Sequence, residues 1–389
     1  LVNESSIGIW PGWLGPLRSG IVAGLPERLS DEPNIEWERV FTHASLGGIA
    51  ATHDKVVFTD RDEEDFHDLF RCVDANTGED LWTIERLAIG ALDYGNSTRA
   101  TPLIDAERVV FLSAFGVLVC ASLNEGSILW ERDLAQQFPA AKELPWGYCG
   151  SPLLVDGKII VSPGSASASV AAFDVATGEV VWTCEGIGPS YGSMTVATLG
   201  GVVQVVGHDA SSLGGWDVAT GQRLWTVQPE REGDFNVPTP LVYQGKLLVT
   251  TENNGARLFA FDERGKILPD PVATNWKLHP DMSTAVVAGE LAFCVKDFLF
   301  CCDLADGLKE RWRMRDAAIS DYAAILAAGD RILVIGNGEL MLMGSDGDQE
   351  ILSRVRLFEE RLPIYSYPAL VGNRLFIRGE HRMLCVRLD

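Results

Sequence analysis

Apolar residues along this chain fall in short alternating runs separated by turn residues, a pattern of half-buried β-strands rather than helices. One recurring stretch is an apolar run, a tight turn and a second apolar run. It reads Thr101-Pro-Leu-Ile-Asp-Ala-Glu-Arg-Val-Val110, Ser151-Pro-Leu-Leu-Val-Asp-Gly-Lys-Ile-Ile160, Thr239-Pro-Leu-Val-Tyr-Gln-Gly-Lys-Leu-Leu248 and Tyr367-Pro-Ala-Leu-Val-Gly-Asn-Arg-Leu-Phe376. A second follows it: Cys72-Val-Asp-Ala-Asn-Thr-Gly-Glu-Asp-Leu-Trp82, Ala172-Phe-Asp-Val-Ala-Thr-Gly-Glu-Val-Val-Trp182 and Gly215-Trp-Asp-Val-Ala-Thr-Gly-Gln-Arg-Leu-Trp225. Weaker copies run from Cys120 to Trp130 and from Cys301 to Trp312, and degenerate ones from Phe261 to Leu268 and from Met343 to Leu352. In each, the Asp is expected to cap the turn, the Gly to take the positive φ of a tight hairpin, and the Trp to pack between neighbouring sheets.

Together the two signals make a unit of four antiparallel strands, A to D. Its turn glycines, Gly78, Gly126, Gly178, Gly221, Gly265, Gly307 and Gly347, are spaced by about 45 residues, the length of one propeller blade. An eighth turn would fall just past the end, so the last blade has strands A to C but no D. The segment Ile35-Glu-Trp37 sits one repeat ahead of Trp82 and is expected to supply it, closing an eight-bladed all-β propeller without exposed edges. Residues 1–34 then form an N-terminal extended arm, and residues 35–389 form the single propeller domain. The turns with Leu268 and Leu352 in place of Trp mark blades 5 and 7 as the weakest repeats.

Composition narrows the possibilities. The formal charge of −22 repels nucleic-acid phosphates and anionic lipid, and no basic cluster overrides it. No apolar run is long enough for a transmembrane helix. The chain opens on Leu1, so a preceding segment, with any targeting signal, is expected to lie outside it. The eight cysteines contain no C-x-x-C pair, which argues against structural zinc. Four of them share a column two residues before the turn Asp: Cys72, Cys120, Ala172, Gly215, Ala260, Cys301, Leu342 and Cys385. They read as small buried hydrophobes.

The Ala/Cys-x-Asp-x-x-Thr-Gly-x-x-x-Trp unit resembles the PQQ-like repeat of the quinoprotein alcohol dehydrogenase-like propellers, from Ile35 to Asp389. Trp10-Pro-Gly-Trp-Leu-Gly-Pro-Leu-Arg-Ser-Gly20 resembles a lead-in segment of bacterial envelope members, and is expected to pack as an arm on the ring. The family includes quinone-dependent dehydrogenases and non-enzymatic scaffolds such as the propeller lipoprotein of the outer-membrane assembly machine. The resemblance therefore implies an exported, periplasmic or cell-envelope setting and leaves activity open.

The residues favour the scaffold. Adjacent Cys301 and Cys302 match the vicinal cysteines of the dehydrogenases in sequence only. They fall in mid-strand, where neighbouring side chains point to opposite faces. No Glu, Asn and Asp loop set for Ca²⁺ is present, so no cofactor is expected; PQQ with Ca²⁺ is the alternative. Asp60, Asp62 and Asp65 are a weak metal candidate, a solvated hairpin tip being the plainer reading. His43, His53, His67, His208, His279 and His381 have no ligand spacing.

The connections from strand D to the next strand A carry recurrent aromatic and acidic residues: Tyr94, Trp146, Tyr148, Tyr191, Phe235, Asp281, Asp321, Tyr322, Tyr365 and Tyr367. They are expected around the mouth of the central channel, where they could bind a protein, peptide or glycan. A binding or scaffold protein is the leading expectation. The alternative is a quinone-dependent dehydrogenase-like or carbohydrate-active propeller enzyme.

Overall fold

A computed structural model of the chain describes residues 8–140, 143–186, 188, 190–320, 322–346 and 348–389. These residues form eight four-stranded antiparallel sheets. In seven of them the strands are consecutive. In the eighth, Asn34–Val40 pairs with Arg382–Arg387, which continues to Arg374–Arg378 and Ala369–Val371. The N-terminal strand is thus strand D of blade 8, as the repeat spacing predicts, and Trp37 lies opposite Cys385.

Four of the strand C to strand D hairpins are built by the same local chemistry. The Asp74 carboxylate accepts the amides of Asn76 and Thr77 at 2.8 and 3.0 Å, and Asp174, Asp217 and Asp303 repeat the arrangement. Gly78 takes φ +73°. A Cβ there would sit 2.8 Å from the Trp37 indole, because the Trp of one blade lies on the turn glycine of the next. Trp82 lies on Gly126, Trp130 on Gly178 and Trp182 on Gly221 in the same way. The indole N–H groups of Trp37, Trp82, Trp130 and Trp182 donate to Ala75, Leu123, Val175 and Val218 of the following blade at 2.9–3.1 Å. Each such Trp joins two blades by an apolar face and one hydrogen bond, and truncating a buried indole costs about 3–5 kcal/mol.

The column of small residues now has a cause. Cys72, Cys120, Ala172, Gly215, Cys301 and Cys385 lie directly across from Trp82, Trp130, Trp182, Trp225, Trp312 and Trp37. An indole folded over its cross-strand neighbour leaves room for a thiol, a methyl or nothing. The four cysteines of the column are buried and free. Burial pushes their thiols up to about 11 for Cys120 and about 12 for Cys72, Cys301 and Cys385, so they are unreactive.

Blades 5 and 7 depart from the repeat in different ways. In blade 5, Leu268 N–H donates to Ala260 O, but Pro269 and Pro271 interrupt the ladder, and strand D forms only at Ala273–Asn275. In blade 7, Ser353, not Leu352, stands opposite Leu342. The large and small members of the pair have changed strands. The turn glycine expected at Gly347 lies outside the described residues.

The arm is more than a strap on the ring. Trp10 pairs with Ala51 of blade 1, and Pro11 O accepts from Ile104 of blade 2. The Arg18 guanidinium donates to the carbonyls of Ser151 and Pro152 in blade 3 and Met194 in blade 4, at 2.9–3.2 Å. Trp13 Nε1 donates to Thr239 Oγ1 of blade 5 at 2.9 Å, while its ring centre is 4.9 Å from that of Tyr367 in blade 8. Gly20 is packed against Val286 of blade 6, and Ile21 and Val22 pair with Ala327 of blade 7. The arm therefore reaches the inner strands of all eight blades and occupies the hub that the sequence suggests is an open channel. Trp10 and Leu14 are fully buried there.

Candidate functional site at the loop face

The inner strands begin at one rim of the ring, and hydroxyl groups tie their starts together. Ser151 Oγ accepts from Thr101 N–H, Ser193 Oγ from Ser151 N–H, Thr284 Oγ1 from Thr239 N–H and Ser283 Oγ from Ala323 N–H, at 2.9–3.2 Å. Ser366 Oγ donates to Gly47 O at 2.6 Å. Ser151, from a Ser-Pro signal, and Ser193, Ser283, Thr284 and Ser366, at equivalent strand starts, thus tie neighbouring inner strands together next to the loops that precede them.

Those loops bring four aromatic rings from four successive interblade connections into one cluster. Trp146 is at its centre. Its ring centre lies 4.6 Å from Tyr191, 4.6 Å from Phe235 and 6.4 Å from Tyr94, all tilted. The loops are joined by backbone as well, since Asp93 N–H donates to Pro145 O at 2.8 Å. Tyr94 is 79% exposed and Phe235 52%, so the cluster presents aromatic surface to solvent at positions fixed from below.

The other predicted residues divide. Tyr365 is exposed and lies 5.5 Å from Tyr322, on the connections that flank blade 7. Tyr148, Tyr322 and Tyr367 are buried, and in this they depart from the expected binding surface. Tyr148 packs in the core between blades 2 and 3, where burial raises its phenol to about 12. Tyr367 faces the arm and donates its hydroxyl to Ile325 O at 2.9 Å. Recurrence along the sequence identifies a loop but not which way its ring turns. Asp281 is on the surface and paired with Lys296. Asp321 lies outside the described residues.

Two polar atoms near the cluster are buried without a hydrogen-bond partner among the described residues: Ser190 Oγ, beside Tyr191, and Glu252 Oε2. Glu252 Oε1 accepts from Phe235 N–H at 2.8 Å. Burial, assisted by the charges of Asp234 and Asp281, raises the Glu252 carboxyl. Sequence reasoning missed Glu252, Trp13 and Arg18. Only the Trp-Pro-Gly-Trp segment carried a signal for the latter two. Two shallow clefts open on the same rim, one of about 450 Å³ lined by Asp297, Arg315, Asp316 and Ser320, and one of about 110 Å³ between Phe358, Leu362, Gly379 and Arg382.

The metal candidate does not survive the geometry. Asp60 is buried and bound to Arg378 at 2.9 Å, Asp65 is bound to Arg61 at 2.7 Å, and Asp62 accepts the amides of Phe66 and His67 and the His67 ring. Each acid is already committed to an internal donor. Among the described residues no three His, Cys, Asp or Glu side chains converge to hold a metal ion. Cys301 and Cys302 point to opposite sides of one strand, into the cores on either side of blade 6, so they cannot pair without breaking it. Among the described residues, neither these three acids nor the Cys301–Cys302 pair forms the donor set that the alternative expects.

Structures of known proteins share this architecture. Quinohemoprotein alcohol dehydrogenase from Comamonas testosteroni superposes with a TM-score of 0.73 at 12% identity, over 100% of this chain and 81% of that one. BamB from Moraxella catarrhalis gives 0.62 at 16% identity, over 91% of this chain and 99% of that one. A europium-containing methanol dehydrogenase gives 0.70 at 12% identity, over 97% and 91%. At these identities the likeness is one of fold. No curated protein matches the chain in sequence. The family described as outer membrane protein assembly factor BamB matches residues 67–314 by its sequence profile. With that match spanning well over half of the chain and carried by the repeats described above, the chain belongs to the BamB-like family of PQQ-repeat β-propellers.

Proposed function

We propose that this propeller is a non-enzymatic binding or scaffold protein of the bacterial cell envelope, and that it holds a protein partner on its loop face. The observation that carries this reading is the gathering of Tyr94, Trp146, Tyr191 and Phe235, one from each of four successive connections, onto a rim fixed by interblade hydrogen bonds. Partly exposed aromatic rings on a rigid base have the character of an interface anchor. The match to a family described by an outer-membrane assembly factor supports an exported setting and a protein partner. In the described residues no helix is long and apolar enough to cross a membrane.

The chemistry of the hub supports binding over quinone catalysis. The chain's own Trp13 and Arg18 fill it, and among the described residues no three His, Cys, Asp or Glu side chains converge around it. The test is reconstitution with PQQ and Ca²⁺, followed by assay with alcohols and sugars and an artificial electron acceptor. No substrate-dependent reduction is expected. Turnover that is lost in Asp281→Ala or Asp321→Ala would replace this reading with a dehydrogenase.

A further inference from the structure

Three features of the loop face bear on what it binds. First, the rings of Tyr94, Trp146 and Phe235 offer π faces, and Tyr94 and Phe235 are more than half exposed. Such faces attract cations, at exposed sites by about 0.5–1 kcal/mol each. Second, the Glu252 carboxylate is anchored through Oε1 to the backbone of Phe235, and its Oε2 has no donor among the described residues. A buried acceptor without a partner is costly, and a donor arriving from outside would relieve it. Third, the same face already makes this kind of contact with its own residues. The Arg231 guanidinium, on the connection that carries Phe235, lies 4.6 Å from the centre of the Trp276 ring on the following connection.

The surrounding charge agrees. Asp93 follows the same loop as Tyr94, and Asp234 precedes Phe235. The nearby guanidinium of Arg99 is turned to the carbonyls of Ser97, Asp93 and Gly95, and does not cover the rings. The whole chain carries −22, a field that steers positive partners toward it.

Resting on the reading that the loop face is the binding face, we infer that the Trp146 cluster takes a cationic side chain, an arginine or lysine, of a partner polypeptide. The alkyl part of that side chain lies on Trp146 and Phe235, and its charged end is placed toward Glu252. An uncharged glycan, which aromatic rings also accept, would donate hydroxyl hydrogens to the carboxylate but bring no positive charge to the ring faces.

The test uses the full chain carrying 5-fluorotryptophan, with the Trp146 ¹⁹F resonance assigned by its loss in Trp146→Phe. N-acetyl-arginine methylamide should shift that resonance saturably, while its neutral isostere N-acetyl-citrulline methylamide should not. Glu252→Gln keeps an acceptor for Phe235 N–H but removes the charge, and should weaken the arginine amide about tenfold. Glu179→Gln, at an exposed turn on the opposite face, should leave it unchanged. If citrulline amide or cellohexaose shifts Trp146 as strongly as the arginine amide, or if Glu252→Gln has no effect, the cationic inference is overturned and the loop face stands as a binding face. If none of the three perturbs Trp146, and a partner cross-links to the outer strands but not to the loop face, both inferences fall.

Discussion

Gly215 lies directly opposite Trp225, and a methyl group built on it would collide with the indole Nε1 and with Gln204 Oε1. The reason is a local change in the interblade bond. The indoles of Trp37, Trp82, Trp130 and Trp182 donate straight to the next blade, whereas Trp225 Nε1 donates at 2.5 Å to Gln204, whose own amide donates to Gly265 O of blade 5 at 3.0 Å. Gln204 relays the contact and takes up the space that a side chain at 215 would need. Gly215→Ala should therefore destabilise the protein by about 1–3 kcal/mol. Ala172→Cys, at the equivalent place opposite Trp182, should stay within about 1 kcal/mol, since cysteine holds that position in four other blades. Urea unfolding midpoints of the two variants check the contrast, and equal effects would contradict it.

The hairpin tip of blade 1 should respond to pH through one pair. His67 Nδ1 and Asp62 Oδ2 are 2.7 Å apart, and this hydrogen bond raises the His67 imidazole above its usual value. Burial acts to raise Asp62, but the amide and ring donors of His67 and the amide of Phe66 outweigh it, bringing the carboxyl to about 2. A raised histidine contributes fully below about 6.5 and loses its contribution as pH climbs through the folded value. A lowered aspartate contributes fully above about 3.9 and loses its contribution as pH falls through about 2. The tip should thus be best ordered between about pH 4 and 6.5. An NMR titration of the His67 ring reads this directly. Asp62→Asn should bring its midpoint down toward about 6.5, and an unchanged midpoint would refute the pairing.

Cysteine chemistry gives an independent check on the fold. Cys72, Cys120, Cys294, Cys301, Cys302 and Cys385 are buried, and Cys149 and Cys184 are half-buried. Iodoacetamide under native conditions should modify Cys184 and, more slowly, Cys149, whose thiol burial raises to about 12. The other six should react only after unfolding. A tryptic peptide bearing a Cys301–Cys302 disulfide in the native protein would contradict the strand register on which this account depends.

How far the sequence carried the structure depended on periodicity. The eight blades and the closure by Trp37 were legible because the same Asp, Gly and Trp chemistry returns at a fixed interval, and the chain's two ends complete one unit. In blade 5, a weak repeat already by its Leu268, Pro269 and Pro271 delay strand D to Ala273–Asn275, a shift that the repeat spacing does not announce. The path of the arm was not legible either. Arg18 is held by carbonyls of Ser151, Pro152 and Met194, more than a hundred residues away, and nothing local in the sequence encodes those partners. The loop aromatics were found as a set, yet Tyr94 faces solvent while Tyr148 and Tyr367 are buried. That difference arises from the neighbours each ring meets after the blades close.

The central claim is that this family member binds a partner at the loop rim. The most direct measurement is photocross-linking in the cells that make the protein, with p-benzoylphenylalanine placed at Tyr94, which is 79% exposed, or at Leu129, which is 50% exposed on the outer strand of blade 2. A discrete, light-dependent protein adduct from position 94 and none from position 129 is the predicted result. An adduct from position 129 with none from position 94 would contradict the account.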